Sequence, residues 1–180
     1  MQGLDKAVAE FNARAAREGW DQYCDPANGF VMPECFELAA LWTRLTADGA
    51  LPKRDAFTAR MLKPYLARLA MVELLEQEPP RLRFRLIGTT LTGTLSERTG
   101  QHFDDKSATP QQTARWTQSA LLTLAARQPM RFYMAGEAAV FGEMLTLPLA
   151  DANGAPRFVL AYGKYDPTRD WSRRAERAEA

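Results

Sequence analysis

Histidine and cysteine are nearly missing from this chain. Its 180 residues include one histidine, His102, and two cysteines, Cys24 and Cys35. A single imidazole with no second nitrogen ligand makes a poor metal site, and it leaves no serine with a base partner other than His102. Neither cysteine sits in a CxxC or other zinc-ligand pattern, and the pair could form at most a single disulfide. Two free thiols in a reducing compartment are expected instead. Charge of one sign is also missing: 23 basic residues face 22 acidic ones, a net +1. That balance gives no electrostatic case for nucleic acid or an acidic membrane as partner. No apolar run approaches the ~20 residues that span a bilayer, and the start, Met1-Gln2-Gly3-Leu4-Asp5-Lys6, lacks the apolar core of a signal peptide. A cytoplasmic location is the expectation.

Nucleotide-binding and acid–base signatures are equally scarce. Thr99-Gly100 is not part of a glycine-rich loop ending in Lys-Ser or Lys-Thr. Glu97, Asp104 and Asp105 are the nearest approach to a carboxylate cluster, and they alternate with Arg98 and Lys106 in a polar turn. Solvated loop charges are the expectation for that segment.

What the chain does have is 46% hydrophobic residues in clear periodic patterns. Leu4, Val8, Phe11 and Ala15 stand at helical spacing across 5–18, and Asp25-Pro26, Asn28-Gly29 and Pro33 then mark turns. Phe36, Leu38, Leu41, Trp42 and Leu45 give a helix over 34–48 a broad apolar face that Gly49 can close. Asp55 is a candidate cap for a short helix stopped by Pro64. Beyond it, 66–76 reads as a strand. In 81–88, Leu82, Phe84 and Leu86 alternate with Arg81, Arg83 and Arg85, so the two strands form an antiparallel hairpin across Glu78-Pro79-Pro80. Short helices and turns fill 89–100. Thr109, Pro110 and Gln112 form a capping box at the head of a helix running to about 127, with Trp116, Ala120, Leu121 and Leu124 as its inner stripe. Strands over 130–136, 143–150 and 156–165 follow, the last two joined by Asp151-Ala152-Asn153-Gly154. The tail over 170–180 is charged. Two strands, a helical middle and three more strands predict an α+β fold: one antiparallel sheet with helices on one face.

That order resembles a PAS domain, which has five antiparallel strands and helices between the second and third cupping one sheet face. The resemblance extends to a proteobacterial subfamily of single PAS domains. It rests on Leu51-Pro52, the RFRLIGT stretch from Arg83 to Thr89, Thr99-Gly100 before the long helix, and Leu147-Pro148-Leu149 leading into a closing hairpin. It covers about two thirds of the chain; the first 33 residues have no counterpart in it. The implied division is an N-terminal helical extension over 1–50, a PAS-like domain over 51–166 and a charged tail over 167–180.

The resemblance implies a cup that can hold a ligand, with the outer sheet face covered by an N-terminal helix or a second subunit. The helix over 34–48 suits that cover. Pocket candidates are Phe84, Leu86, Leu95, Phe103, Trp116, Leu124, Phe132, Met134, Leu145, Leu147, Leu160 and Tyr162. Interface candidates are Phe36, Leu41, Trp42, Leu45, Tyr133, Met144 and Val159. Haem sensors of this fold take a histidine from the long helix, and flavin photosensors need a cysteine in the helical middle; this chain has neither, so no cofactor is expected. The expected function is a stand-alone sensor that binds a small, mostly apolar or aromatic molecule and signals in trans through protein contacts. The alternative is a ligand-free interaction module or homodimer, and an enzyme is the last choice.

Overall fold

The computed structural model describes residues 2–25, 27–105, 108–135 and 140–165, excluding the side chains of Gln2, 93–95, 140, 141 and 165. The chain opens with α1 (Gln2–Glu18), a short strand β1 (Gln22–Asp25) and α2 (Pro33–Leu45). A 3-10 turn and the one-turn helix α3 (Ala59–Leu62) lead to the hairpin of β2 (Leu69–Leu75) and β3 (Arg81–Ile87). Then come α4 (Thr89–Leu95), α5 (Pro110–Ala126) and three strands, β4 (Met130–Ala135), β5 (Val140–Ala150) and β6 (Pro156–Tyr165). The six strands make one sheet in the order β1-β4-β5-β6-β2-β3, antiparallel at every pairing. The expected α+β class therefore holds, with one strand more than expected.

The extra strand, β1, lies inside the segment expected to be only turns and helices. Four residues are too few to display a period of two. Position makes them a strand: they pair with the free edge of β4, Cys24 opposite Phe132. Their other edge is closed by a side chain. Asn12 of α1 donates to the Cys24 carbonyl at 2.9 Å and accepts from the Cys24 amide at 2.8 Å, which satisfies groups an edge strand leaves open. Residues 22–25 thus belong to the sheet itself.

Both sheet faces are covered. On one, α2 lays Cys35, Leu38 and Trp42 over Leu145, Leu147, Leu149, Phe158, Leu160 and Tyr162. The Trp42 indole donates to the Pro148 carbonyl at 2.8 Å, fixing the helix on its strand. On the other, α5 packs Ala120 and Leu124 against Val72, Leu82, Phe84 and Val159, while α1 and Leu122 of α5 cover Met130 and Phe132. The capping box at Thr109 and Gln112 is present as expected, with both reciprocal hydrogen bonds formed. The short helix α3 is instead capped by Thr58, whose hydroxyl accepts from the Met61 amide, and Asp55 lies in the preceding 3-10 turn. Gly88 ends β3 where the 3-10 turn at Leu66–Arg68 crosses it; a Cβ there would come within 2.1 Å of the Leu66 carbonyl oxygen. No side chain fits that crossing.

Candidate functional site

Each face of the sheet buries an arginine, and the two have opposite surroundings. On the α2 side Arg131 of β4 projects between Glu143 of the adjacent β5 and Asp25 of β1. Its Nε donates to Glu143 at 2.5 Å and its Nη1 to Asp25 at 2.8 Å. The Glu143 carboxylate is fully buried, and it also accepts from the Val31 and Met32 amides at 2.9 and 2.8 Å. Asp25 accepts from the Ala27 and Gly29 amides. Asn28 donates to the Pro129 carbonyl at 2.8 Å and accepts from the Arg131 amide at 2.7 Å. Burial opposes the Arg131 charge, but these partners outweigh it and hold its pKa above the ordinary value. The network staples the turn before α2 to the sheet and is satisfied from within the chain.

Both thiols lie in apolar cores on opposite faces, Cys35 under α2 and Cys24 beside α1. Burial pushes Cys24 up to about 12, with the Asp25 charge adding to it. Burial, then the adjacent Glu143, raises Cys35 as well. Neither is a thiolate near neutrality, so neither is poised as a nucleophile.

On the α5 side Phe84 of β3, Phe103 of the following turn and Trp116 of α5 form a three-ring cluster, with centroids 4.5 to 5.9 Å apart. Arg98 enters this cluster from the segment between α4 and α5. Its guanidinium carbon lies 5.5 Å from the Phe84 centroid and 5.3 Å from that of Trp116. The residue is only 2% exposed, and its Nε and Nη2 have no hydrogen-bond partner among the described residues. Cation–π contact with two rings compensates part of the charge, but it leaves the N–H groups unmet. Arg98 is therefore not the solvated loop charge its sequence neighbours suggested. Glu97 and Asp104 beside it are exposed, and His102 forms an isolated antiparallel bridge with Arg83 of β3, its Nδ1 3.9 Å from Asp105.

The expected pocket residues do not share one space. Phe84, Phe103, Trp116 and Leu124 meet on the α5 side, and Phe132 lies on the same face beneath α1. Met134 follows it in β4, partly buried. Leu145, Leu147, Leu160 and Tyr162 face the other way, under α2. Leu86 is 37% exposed, displaced by a register shift between Met71 and Val72 of the neighbouring strand. The Leu95 side chain lies outside the described residues. Alternation along β5 could not assign the faces because both are covered. The phase carrying Met144, Thr146 and Pro148 packs toward α5, where the hydroxyls of Thr146 and Thr123 hydrogen bond at 2.7 Å.

The expected interface set divides as well. Phe36 is 55% exposed, and Leu41 and Leu45 are partly buried beside it on α2. Trp42 and Val159 are buried inside the chain, and Met144 packs against the core beneath α1. Tyr133 is half-buried, stacked on Tyr23 with ring centroids 5.7 Å apart.

No protein-family description and no curated protein matches the chain. Among solved structures it is similar to one described as an RNA-binding light-oxygen-voltage receptor, at 11% identity and a TM-score of 0.36. That likeness covers 99% of this chain but only 53% of the receptor chain. A TM-score of 0.36 leaves the fold to rest on strand order and helix placement. Among the described residues, no helix is long and apolar enough to cross a membrane.

Proposed function

We propose that this chain is a sensory PAS-type domain that binds a small, largely apolar or aromatic molecule between α5 and the sheet, catalyses nothing, and passes the signal on through protein contacts. The arrangement of β2 to β6 supports it: the helical segment falls between the second and third of these strands and packs on one face, as the sequence resemblance implies. The opposite face is covered by α2 and its buried charges, Arg131 and Glu143, meet each other, whereas the α5 side holds a buried cation with unmet donors. The observation that carries the proposal is Arg98, because a folded core rarely buries a cation whose N–H groups have nothing to donate to. A bound molecule would change how α5 sits on the sheet and so alter the surfaces joined to it.

Native and denaturing mass spectrometry of freshly purified protein test this directly. Extra mass that disappears on denaturation is the expected result. Bare chain mass, together with no thermal shift across a metabolite library, overturns it. Bare mass in the form of a dimer would favour the rival proposal, an interaction module, for which the exposed Phe36 ring, edge-on to Phe30 at 5.9 Å, is the natural contact.

A further inference from the structure

We infer that the ligand of the α5-side site carries a carboxylate, and that Arg98 receives it. The inference rests on the sensory proposal above and adds the chemistry of the bound molecule. Nε and Nη2, the two nitrogens without partners, lie on one edge of the guanidinium. Their N–H bonds run parallel along that edge and match the two oxygens of one carboxylate. Phe84 and Trp116 lie on the same side of this group, their centroids 5.9 Å apart and 5.5 and 5.3 Å from its carbon, and neither ring offers an acceptor to the Nε–Nη2 edge, so that edge is where a new contact can form.

The surroundings select a monoanion with an apolar body. Phe84, Phe103, Val72, Leu82 and Leu124 around the site are apolar, and they suit the body of such a ligand better than the second charge of a phosphate. A neutral amide could fill only one of the two donor positions with an acceptor, because its nitrogen is itself a donor. Trp116 is the one ring of the three that is not fully buried, so it is the side chain that swings aside as the ligand body enters. The remaining rings then stack on an aromatic or flat aliphatic body.

The test uses matched pairs: benzoate against benzamide, phenylacetate against phenylacetamide, and hexanoate against hexanamide. Each is added at millimolar concentration to the full chain, with melting temperature and tryptophan fluorescence as readouts. At least one acid is expected to raise the melting temperature and change the fluorescence, its amide partner at least tenfold less potently. Trp116→Phe should remove most of the fluorescence change while keeping the thermal shift. Arg98→Met should melt at or above the parent temperature and lose the response to the acid. Arg98→Lys, which keeps the charge without the fork, should bind the acid at least tenfold more weakly. Amides that bind as well as acids would overturn the carboxylate while leaving the sensory proposal standing. No response to any acid, or an Arg98→Met protein that melts well below the parent, would overturn the inference, and the mass-spectrometric result would then decide the sensory proposal separately.

Discussion

Arg131 and Arg98 are buried on opposite sides of one sheet, yet only Arg131 has partners. Around Arg131, each charge meets an opposite charge or a backbone donor: Glu143 and Asp25 take its N–H groups, and amides of residues 27–32 fill their remaining oxygens. Around Arg98 there are two π faces and no acceptor for two of its nitrogens. The difference separates two uses of a buried charge. A network satisfied from within the chain fixes one geometry and rigidifies it, whereas an unsatisfied group costs stability and persists where something outside the chain completes it.

The largest effect is expected from breaking the satisfied side. Glu143→Gln keeps the shape but removes the charge between Arg131 and the Val31 and Met32 amides. Loss of one partner of a buried pair costs about 3–5 kcal/mol, read as a lower midpoint in urea denaturation. The Val31 and Met32 amides should gain hydrogen exchange at the same time, because one of the two carboxylate oxygens they share becomes an NH2 donor.

A smaller effect is expected on the other side. Thr109→Ala removes the hydroxyl that accepts from the Gln112 amide at 3.1 Å and starts α5. It should cost about 1 kcal/mol, and the added exchange should appear in the first turn of α5 and not in residues 25–35. Spread of the effect to the Arg131 network would mean that the two faces are not independent.

The two sides were unequally legible in the sequence. The α5 side announced itself: Thr109-Pro110-Gln112 marks the helix start, and Phe84, Phe103, Trp116 and Leu124 come together as the periodicity implied. The α2 helix was equally plain from its apolar face. The network that ties it down was not, because Asp25, Asn28, Arg131 and Glu143 are spread over 119 positions and each looks like an ordinary polar residue in a turn or strand. Only the pairing of β1 with β4 and of β4 with β5 brings them together. Arg98 was missed for a related reason. A charge among Glu97, Asp104, Asp105 and Lys106 looks solvated, and nothing in the local sequence says that its side chain turns inward over Phe84. The one available signal was the excess of aromatic residues near it.

The smallest effect concerns a third charged cluster, at the rim of β2 and β3, where Glu73 meets Arg83 at 2.7 Å and Arg157 at 3.3 Å. Burial raises the pKa of Glu73, but the hydrogen bond and charge of Arg83, with Arg85 and Arg157, overcome it and leave the group below its usual 4.5. Because the folded value is depressed, its contribution is complete above pH 4.5 and is lost as the pH falls through that lower value. Glu73→Gln should therefore flatten the acid limb of the stability–pH curve below pH 4.5 and narrow its gap to the parent there. An unchanged acid limb would show that the cluster is too solvated to matter.

In the proposal made above, Arg131 is part of the fold and Arg98 is completed by a ligand. Urea denaturation of Arg131→Met and Arg98→Met, side by side at pH 7 without added ligand, tests it most directly. Arg131→Met is expected to lose about 3–5 kcal/mol because Glu143 is left buried and unpaired, while Arg98→Met should equal or exceed the parent because an uncompensated charge has become an apolar side chain. Equal losses in the two variants would contradict it, since Arg98 would then be as much a part of the fold as Arg131.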